Sequence, residues 1–172
     1  MVRIGWREED RRMNETELNR IEKRTIEMLA VAPIVRAMAQ RIGWDEAVAI
    51  VQEVNEREAH ERGCDQARKT GPGGIDDLVK EVAGWGEGGV WEMKVLKRSA
   101  TSYHFDVTRC PYHERYRELG LDEFGVAMSC CRDAPHARGF NPGLVLTRTT
   151  TLMEGGDRCD FRYELTADDE SG

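Results

Sequence analysis

Five cysteines are the most chemically versatile residues of this sequence. They are Cys64, Cys110, Cys130, Cys131 and Cys159. Cys110 precedes Pro111, a residue suited to the first turn of a helix, so we expect its thiol at a helix N-terminus, where partial positive charge favours the thiolate. It should then be alkylated faster than Cys64. A small buried cysteine at a strand-to-helix corner is the alternative for Cys110. The odd number and irregular spacing of the cysteines predict reduced thiols.

A second candidate group begins at Cys130. Asp133 lies three residues after Cys130 and His136 three residues further on, within a predicted loop from Arg132 to Gly143. Such a loop could bring an acid, a base and a thiol together. Cys130 and Cys131 are predicted to lie near a helix C-terminus, where the helix dipole opposes ionisation, so a Cys130 nucleophile needs a base to activate it. The alternative is that Asp133 forms a turn and His136 is solvated.

Three more residues are candidates because of their position in the predicted elements. Arg148 shares the strand alternation that begins at Leu144, which places a guanidinium among apolar residues, where it needs a carboxylate from the protein or a substrate. An exposed face of an edge strand is the alternative. Cys159 alternates with Phe161 and should point inward, as a core residue by default. Tyr112 lies on the helix after Cys110 and either lines a pocket or packs.

The N-terminal half is predicted to be helical. Apolar residues at spacings of three and four predict helix over Glu17 to Ile42, which we expect Pro33 to divide into two helices. A third helix, capped by Asp45, should run to about Glu61. A fourth should follow the Gly71-Pro72-Gly73-Gly74 breaker.

After Gly84 the hydrophobic pattern changes from helical to alternating. The predicted strands are residues 91–95, 103–107, 144–152 and 159–165, paired as two hairpins. The predicted short helices between the hairpins are Pro111 to Leu119 and Asp122 to Cys130. Helices followed by antiparallel strands predict an α+β fold, with N-terminal helices packed on an antiparallel sheet of at least four strands.

Composition limits the class of protein and its partners. The 172 residues predict a single domain, with residues 1–14 and 166–172 as flexible ends, and no apolar run reaches the length of a membrane span. A net charge of -7 without a basic stripe argues against nucleic acid. The charged N-terminus lacks the pattern of a secretory signal, so we expect a cytoplasmic protein. The sequence has no Cys-x-x-Cys pair and therefore does not predict a structural zinc site.

Five short motifs follow one another in a distinctive order in the C-terminal half. They are Cys110-Pro111-Tyr112, Glu118-Leu119-Gly120-Leu121, Cys130-Cys131-Arg132-Asp133, Arg148-Thr149-x-Thr151-Leu152 and Gly155-Gly156-Asp157-x-Cys159-Asp160-Phe161. As a set, over about residues 80–165, they resemble the L-2-amino-thiazoline-4-carboxylic acid hydrolase family. The resemblance implies hydrolytic opening of a five-membered thiazoline ring. It also implies that Cys110, Cys130, Asp133 and Cys159 gather around one pocket.

Two hypotheses from different classes follow. The first is a hydrolase acting on a small carboxylate-bearing cyclic compound, in which a Cys130 thiolate or water activated by Asp133 attacks the carbon between ring sulfur and nitrogen, and Arg148 holds the carboxylate. Cys110 and Cys159 would shape the pocket, His136 is a local candidate for the base, and a divalent metal is an alternative source of the nucleophile. The second hypothesis is a non-catalytic domain that binds a small molecule or a soft metal.

Overall fold

The computed structural model describes residues 18–166, which form an α+β arrangement. The helices are α1 (Arg20–Ile42), α2 (Trp44–Thr70), α3 (Ile75–Ala83), α4 (Pro111–Glu118), α5 (Gly125–Met128) and α6 (Asp133–Phe140). The strands are β1 (Glu92–Arg98), β2 (Ser102–Arg109), β3 (Leu144–Thr147) and β4 (Cys159–Leu165). All neighbouring strands are antiparallel, in the order β1-β2-β4-β3. The predicted fold class is therefore confirmed.

Residues 18–166 exclude most of both chain ends and contain no helix suited to crossing a membrane. The ends predicted to be flexible lie outside the described residues, apart from Thr166. Among residues 18–166, no helix combines the length and the apolar character that crossing a membrane requires.

The prediction that Pro33 divides the first helix is wrong, because α1 runs through it without a break. Proline removes one backbone donor, which leaves the carbonyl of Leu29 without its helical partner. Leu29 is 50% exposed and Pro33 is also exposed, so water can satisfy that carbonyl. The helix is also well capped, since the Asn19 side chain accepts from the Glu22 N–H at 2.9 Å and the Glu22 carboxylate accepts from the Asn19 N–H at 2.8 Å.

The predicted third helix has different ends. α2 begins at Trp44, directly after Gly43, whose φ of 91° ends α1, so Asp45 is not the cap. The helix continues well past Glu61 to Thr70 and ends at Gly71, whose φ is 82°. Gly63, a poor helix former, lies inside the helix where its backbone packs against α6.

The region from Arg132 to Gly143, predicted to be a loop, contains helix α6. Pro135 lies in its first turn, where the missing N–H loses no intrahelical bond, and Gly139 faces α2. The helix predicted over Asp122 to Cys130 is split into 3₁₀ turns (Asp122–Phe124 and Cys130–Arg132) on either side of α5. The predicted third strand ends at Thr147 instead of Leu152.

The inner face of the sheet is built from paired aromatic residues. Phe105 of β2 lies opposite Phe161 of β4, and their stacked ring centroids are 4.8 Å apart. Tyr103 and Tyr163 form the next pair along, and Cys159 lies opposite Val107. This face packs against α3 and α6. Cys159 therefore points inward, as the alternation predicted.

Glycines bring α2 and α6 into direct backbone contact. A Cβ atom on Gly139 of α6 would lie 2.1 Å from the carbonyl oxygen of His60, and one on Gly63 of α2 would lie 2.3 Å from that of His136. Neither distance leaves room for a side chain. The two glycines therefore allow the close approach of α6 to α2. This packing positions Asp133 and His136, which lie on α6.

Candidate active site

A cavity of about 870 Å³ lies between the helices and the inner face of the sheet. Its wall includes all the residues that the sequence predicted for the site: Cys110, Tyr112, Cys130, Asp133, His136, Arg148 and Cys159. Trp85 and Phe161 add an aromatic surface to the same wall. A cavity of this size with a few convergent polar groups is typical of a ligand site.

Asp133 and Arg148 form the central ion pair of the cavity. Asp133 is the first residue of α6, and Arg148 directly follows β3. Arg148 Nη1 donates to Asp133 Oδ2 at 2.6 Å, and Nη2 donates to the carbonyl oxygen of Cys130 at 2.9 Å. The guanidinium carbon also lies 4.9 Å from the ring centroid of Phe161. The carboxylate that Arg148 was predicted to need is thus supplied by the protein.

The two partners of this ion pair have perturbed ionisation. Burial raises the pKa of Asp133, and the charge of Arg148 and its hydrogen bond counteract the rise only in part. Burial by itself would lower the pKa of Arg148, but the negative charge of Asp133, the hydrogen bond to it and the nearby thiols of Cys130 and Cys159 together outweigh burial, so the pKa is raised. Arg148 is therefore charged at neutral pH. Asp133 is a stronger base than an exposed aspartate.

Two cavity thiols are held in the protonated form. Burial raises the pKa of Cys130 well above its ordinary value, and the nearby charge of Asp133 adds to the effect. Burial also raises the pKa of Cys159, whose Sγ accepts a hydrogen bond from the Leu152 N–H at 3.2 Å. Cys131, the neighbour of Cys130, donates to the carbonyl oxygen of Ala127 at 3.1 Å and is not part of the cavity wall.

Cys110 is the N-cap residue of α4, with Pro111 in the first turn, as predicted. The expected thiolate is wrong, however. Burial raises the pKa of Cys110 to about 11, although the backbone N–H groups of His113 and Tyr112 at the start of α4 partly oppose the rise. Desolvation of the charged form therefore outweighs the favourable field of the helix terminus.

The order in which Cys64 and Cys110 are alkylated should be opposite to the order expected from the sequence. At neutral pH we expect iodoacetamide to label Cys64 before Cys110, because only the thiolate reacts and burial keeps Cys110 protonated. Peptide mapping by mass spectrometry measures both rates in one sample. Faster labelling of Cys110 in the folded protein would contradict this assignment, and unfolding in urea, which removes the burial, should make the two rates similar.

Tyr112 lies in the wall with its hydroxyl group hydrogen-bonded to the protein. Its hydroxyl donates to the carbonyl oxygen of Trp85 at 3.3 Å, and burial raises its pKa to about 12. The hydroxyl is therefore neutral at physiological pH. It can orient a ligand but does not supply a charge.

Glu81 is a site residue that the sequence analysis missed. His136 Nε2 lies 3.0 Å from Glu81 Oε1, and His136 Nδ1 lies 3.3 Å from the carbonyl oxygen of Ala59. The described contacts of His136 are thus with α2 and α3, and it is not hydrogen-bonded to Cys130 as the loop hypothesis required. Glu81 follows Leu78 by three residues, so its position on the buried stripe of α3 was the available signal.

The pairing of His136 with Glu81 should be visible by titration. Burial lowers the pKa of His136, but the pairing with Glu81 outweighs burial and raises the pKa above the ordinary value. Glu81→Gln removes the negative charge, so we expect the imidazole pKa to fall by about one unit or more in an NMR titration. His113 lies elsewhere and serves as the internal reference. An unchanged His136 pKa in the variant would show that the pair does not form.

This pair also makes a pH-dependent contribution to stability. Because the folded-state pKa of His136 is raised, the pair stabilises the fold fully below the unfolded-state pKa of histidine. The contribution is lost as the pH rises through the folded-state value. The stability difference between wild type and Glu81→Gln should therefore be largest in mildly acidic solution.

Asp160 holds the segment that carries Arg148. Its carboxylate, on β4, accepts from the backbone N–H groups of Thr149 and Thr150 at 2.9 and 2.8 Å and from the Thr149 hydroxyl at 2.7 Å. Burial opposes ionisation of Asp160, but these hydrogen bonds outweigh it and lower the pKa. The carboxylate is therefore ionised and fixes the chain where Arg148 leaves β3.

The described residues do not provide an evident metal site. Within residues 18–166, no three His, Cys, Asp or Glu side chains come close enough together to hold a metal ion. The divalent metal considered from the sequence therefore has no ligand set in this part of the chain.

The fold and the cavity define an α+β domain with a partly enclosed, ligand-sized pocket built around a half-buried aspartate. The chain belongs to the L-2-amino-thiazoline-4-carboxylic acid hydrolase family, whose sequence profile matches residues 23–163. The match confirms the family resemblance and extends it across most of the chain, beyond the C-terminal half. The family suggests a hydrolase-like function.

No curated protein matches the chain significantly. Among solved structures, the chain is similar to a trafficking protein particle complex subunit 3 from Naegleria fowleri, crystallised covalently bound to palmitic acid, with 14% identity and a TM-score of 0.47. The match covers 84% of this chain and 96% of that chain. At these values the likeness carries no inference about this protein.

Proposed function

We propose that this protein hydrolyses a small cyclic C=N compound that carries a carboxylate, of the thiazoline type, with Asp133 as the base that activates water. One observation carries the proposal: a half-buried carboxylate in the cavity wall whose Oδ2 is held by Arg148. The described residues give no hydrogen bond to its Oδ1, which is available to a water molecule. The family to which the chain belongs supports the hydrolytic class of reaction.

The properties of Asp133 and Cys130 favour activated water over attack by a thiolate. Cys130 is kept protonated by burial and by the charge of Asp133, and no side chain of residues 18–166 is hydrogen-bonded to its thiol to remove the proton. Asp133 needs no such help, because Arg148 keeps its carboxylate oriented and partly stabilises the charge. The Cys130 thiol then lines the site as a neutral, polarisable group.

The proposed reaction balances without a cofactor. The water oxygen bonds to the ring carbon between sulfur and nitrogen while Asp133 takes one water proton, and the electron pair of the C=N bond moves to the ring nitrogen, giving a tetrahedral intermediate. The carbon–sulfur bond then breaks as the carbon–oxygen bond becomes a carbonyl. The remaining water proton passes from that oxygen to the ring nitrogen, and the departing sulfur receives the proton held by Asp133. The substrate gains one water and releases one thiol group, and Asp133 returns to its starting state.

The other predicted residues have supporting roles in this proposal. Cys110 and Cys159 are neutral and shape the wall around the ring sulfur, and Tyr112 contributes a hydroxyl. A thiazoline carboxylate has about nine non-hydrogen atoms and fills on the order of 150 Å³. The cavity of about 870 Å³ therefore also holds water or a larger ring substituent. The product would be a cysteine derivative, so we propose a role in amino-acid metabolism and keep the expectation of a cytoplasmic protein as part of this proposal.

A thiol-release assay tests the proposal. Purified protein is incubated with 2-amino-thiazoline-4-carboxylate, and new thiol groups are measured with a disulfide reagent. We expect release proportional to enzyme concentration, and an unchanged rate in Cys131→Ser, because Cys131 lies outside the cavity wall. A rate equal to that of buffer, with binding of the compound retained, would favour the non-catalytic binding domain instead.

A further inference from the structure

Arg132 is a buried cation with one unpaired nitrogen. The residue is only 8% exposed, and it lines the cavity beside Asp133. Its Nε donates to the carbonyl oxygen of Met128 at 3.1 Å, and its Nη2 donates to Asn55 Oδ1. Its Nη1 is buried and has no hydrogen-bond partner among the described residues. An unpaired N–H on a buried guanidinium is unfavourable unless a ligand accepts from it.

Further cations lie near Arg132. Arg24 of α1 and Arg62 of α2 line the same cavity, and burial followed by the charge of Arg24 lowers the pKa of Arg132. The carboxylates near the group are Glu27, paired with Arg24, and Glu58, which lies 3.6 Å from Arg62 and 3.8 Å from Arg132. Three guanidinium groups therefore face two carboxylates.

The same excess of positive charge extends along the cavity wall. Its lining has seven Arg and Lys residues against four Asp and Glu residues, although the chain as a whole has a net charge of -7. Charge of this sign in a partly enclosed site attracts anions.

We infer that Arg132, supported by Arg24 and Arg62, binds the carboxylate group of the ligand. The identity of that ligand rests on the proposed function, but the anion site itself does not. Arg148, to which the sequence hypothesis gave this role, donates from both terminal nitrogens to protein acceptors. Arg132 instead offers an unoccupied donor on the residue next to Asp133. A carboxylate there would be anchored close to the proposed base.

A pair of unreactive ligands tests the inference. Thiazolidine-4-carboxylate and its carboxamide lack the ring C=N bond, so calorimetry measures their binding without turnover. At low salt and pH 8, we expect wild type to bind the carboxylate at least about tenfold more tightly than the carboxamide. Arg132→Gln should lose this preference. Arg36→Gln should keep it, because Arg36 is exposed and pairs with Glu123 outside the cavity.

Arg24→Gln is a second variant that tests the inference even if Arg132→Gln does not fold. Arg132 also holds Asn55 and the backbone of α5, whereas Arg24→Gln leaves those bonds intact. We expect Arg24→Gln to weaken carboxylate binding by about threefold to tenfold, with a smaller effect at high salt. An equal affinity of wild type for the two ligands, or unchanged carboxylate binding in Arg24→Gln and in folded Arg132→Gln, would overturn the inference. If wild type releases no thiol but still prefers the carboxylate over the carboxamide, and this preference depends on Arg132, only the proposed function is overturned.

Discussion

Replacing Asp133 with asparagine should lower kcat for ring opening by about 10³-fold, because asparagine keeps the size of the side chain but cannot take a proton from water. Wild-type kcat should rise with pH in the acidic range, since only the carboxylate form is active. Its midpoint should lie above the ordinary pKa of aspartate, because burial raises the pKa of Asp133. Steady-state thiol release across pH measures both effects, and circular dichroism checks that the variant is folded.

Cys130→Ser is the matched comparison for Asp133→Asn. Serine is similar in size and a much weaker nucleophile, but in the proposed reaction the thiol forms no bond to substrate. We therefore expect the serine variant to retain more than about one tenth of kcat. Equal, near-complete losses in Cys130→Ser and Asp133→Asn would instead assign the nucleophile to Cys130.

Gly139→Ala should be the most destabilising small substitution in the scaffold of the site. The new methyl group would lie 2.1 Å from the backbone oxygen of His60, so α6 must move away from α2. We expect a loss of about 2–4 kcal/mol in the free energy of unfolding. Activity should fall as well, because α6 carries Asp133. Urea denaturation measures the change in stability.

Gly84→Ala is the control for this substitution. The nearest atom to a Cβ at Gly84 is the carbonyl oxygen of Glu81 at 3.4 Å, and the backbone there is helical. The loss of stability should be below about 1 kcal/mol. Similar stabilities of Gly139→Ala and Gly84→Ala would show that α2 and α6 do not pack as closely as described.

The predictions that depended on local periodicity were largely correct. The alternation through Tyr103 and Phe105 and through Cys159 and Phe161 placed β2 and β4 and their inward faces, because one face of each strand is buried. The continuous helix through Pro33 and the helix α6 were missed. Pro33 was interpreted as a breaker although it lies on an exposed face, and α6, which has Pro135 in its first turn, was assigned to a loop.

The predictions of ionisation and pairing needed the tertiary structure. Cys110 occupies the helix terminus that was predicted, but its burial, which no sequence spacing reveals, reverses the expected shift in pKa. Arg148 was correctly expected to need a carboxylate, and its partner Asp133 is supplied by α6, the helix that directly precedes β3. Glu81 was missed because its relation to His136 exists only after α3 packs beside α6.

A single-turnover experiment in heavy-oxygen water tests the central claim most directly. Enzyme in excess is mixed with 2-amino-thiazoline-4-carboxylate and quenched, and mass spectrometry then weighs both the small molecule and the intact protein. The account predicts a ring-opened product heavier than the substrate by one heavy-oxygen water, formed at least about 10²-fold faster by wild type than by Asp133→Asn, with the protein mass unchanged throughout. A substrate adduct on Cys130, or a product formed equally fast by Asp133→Asn, would contradict it.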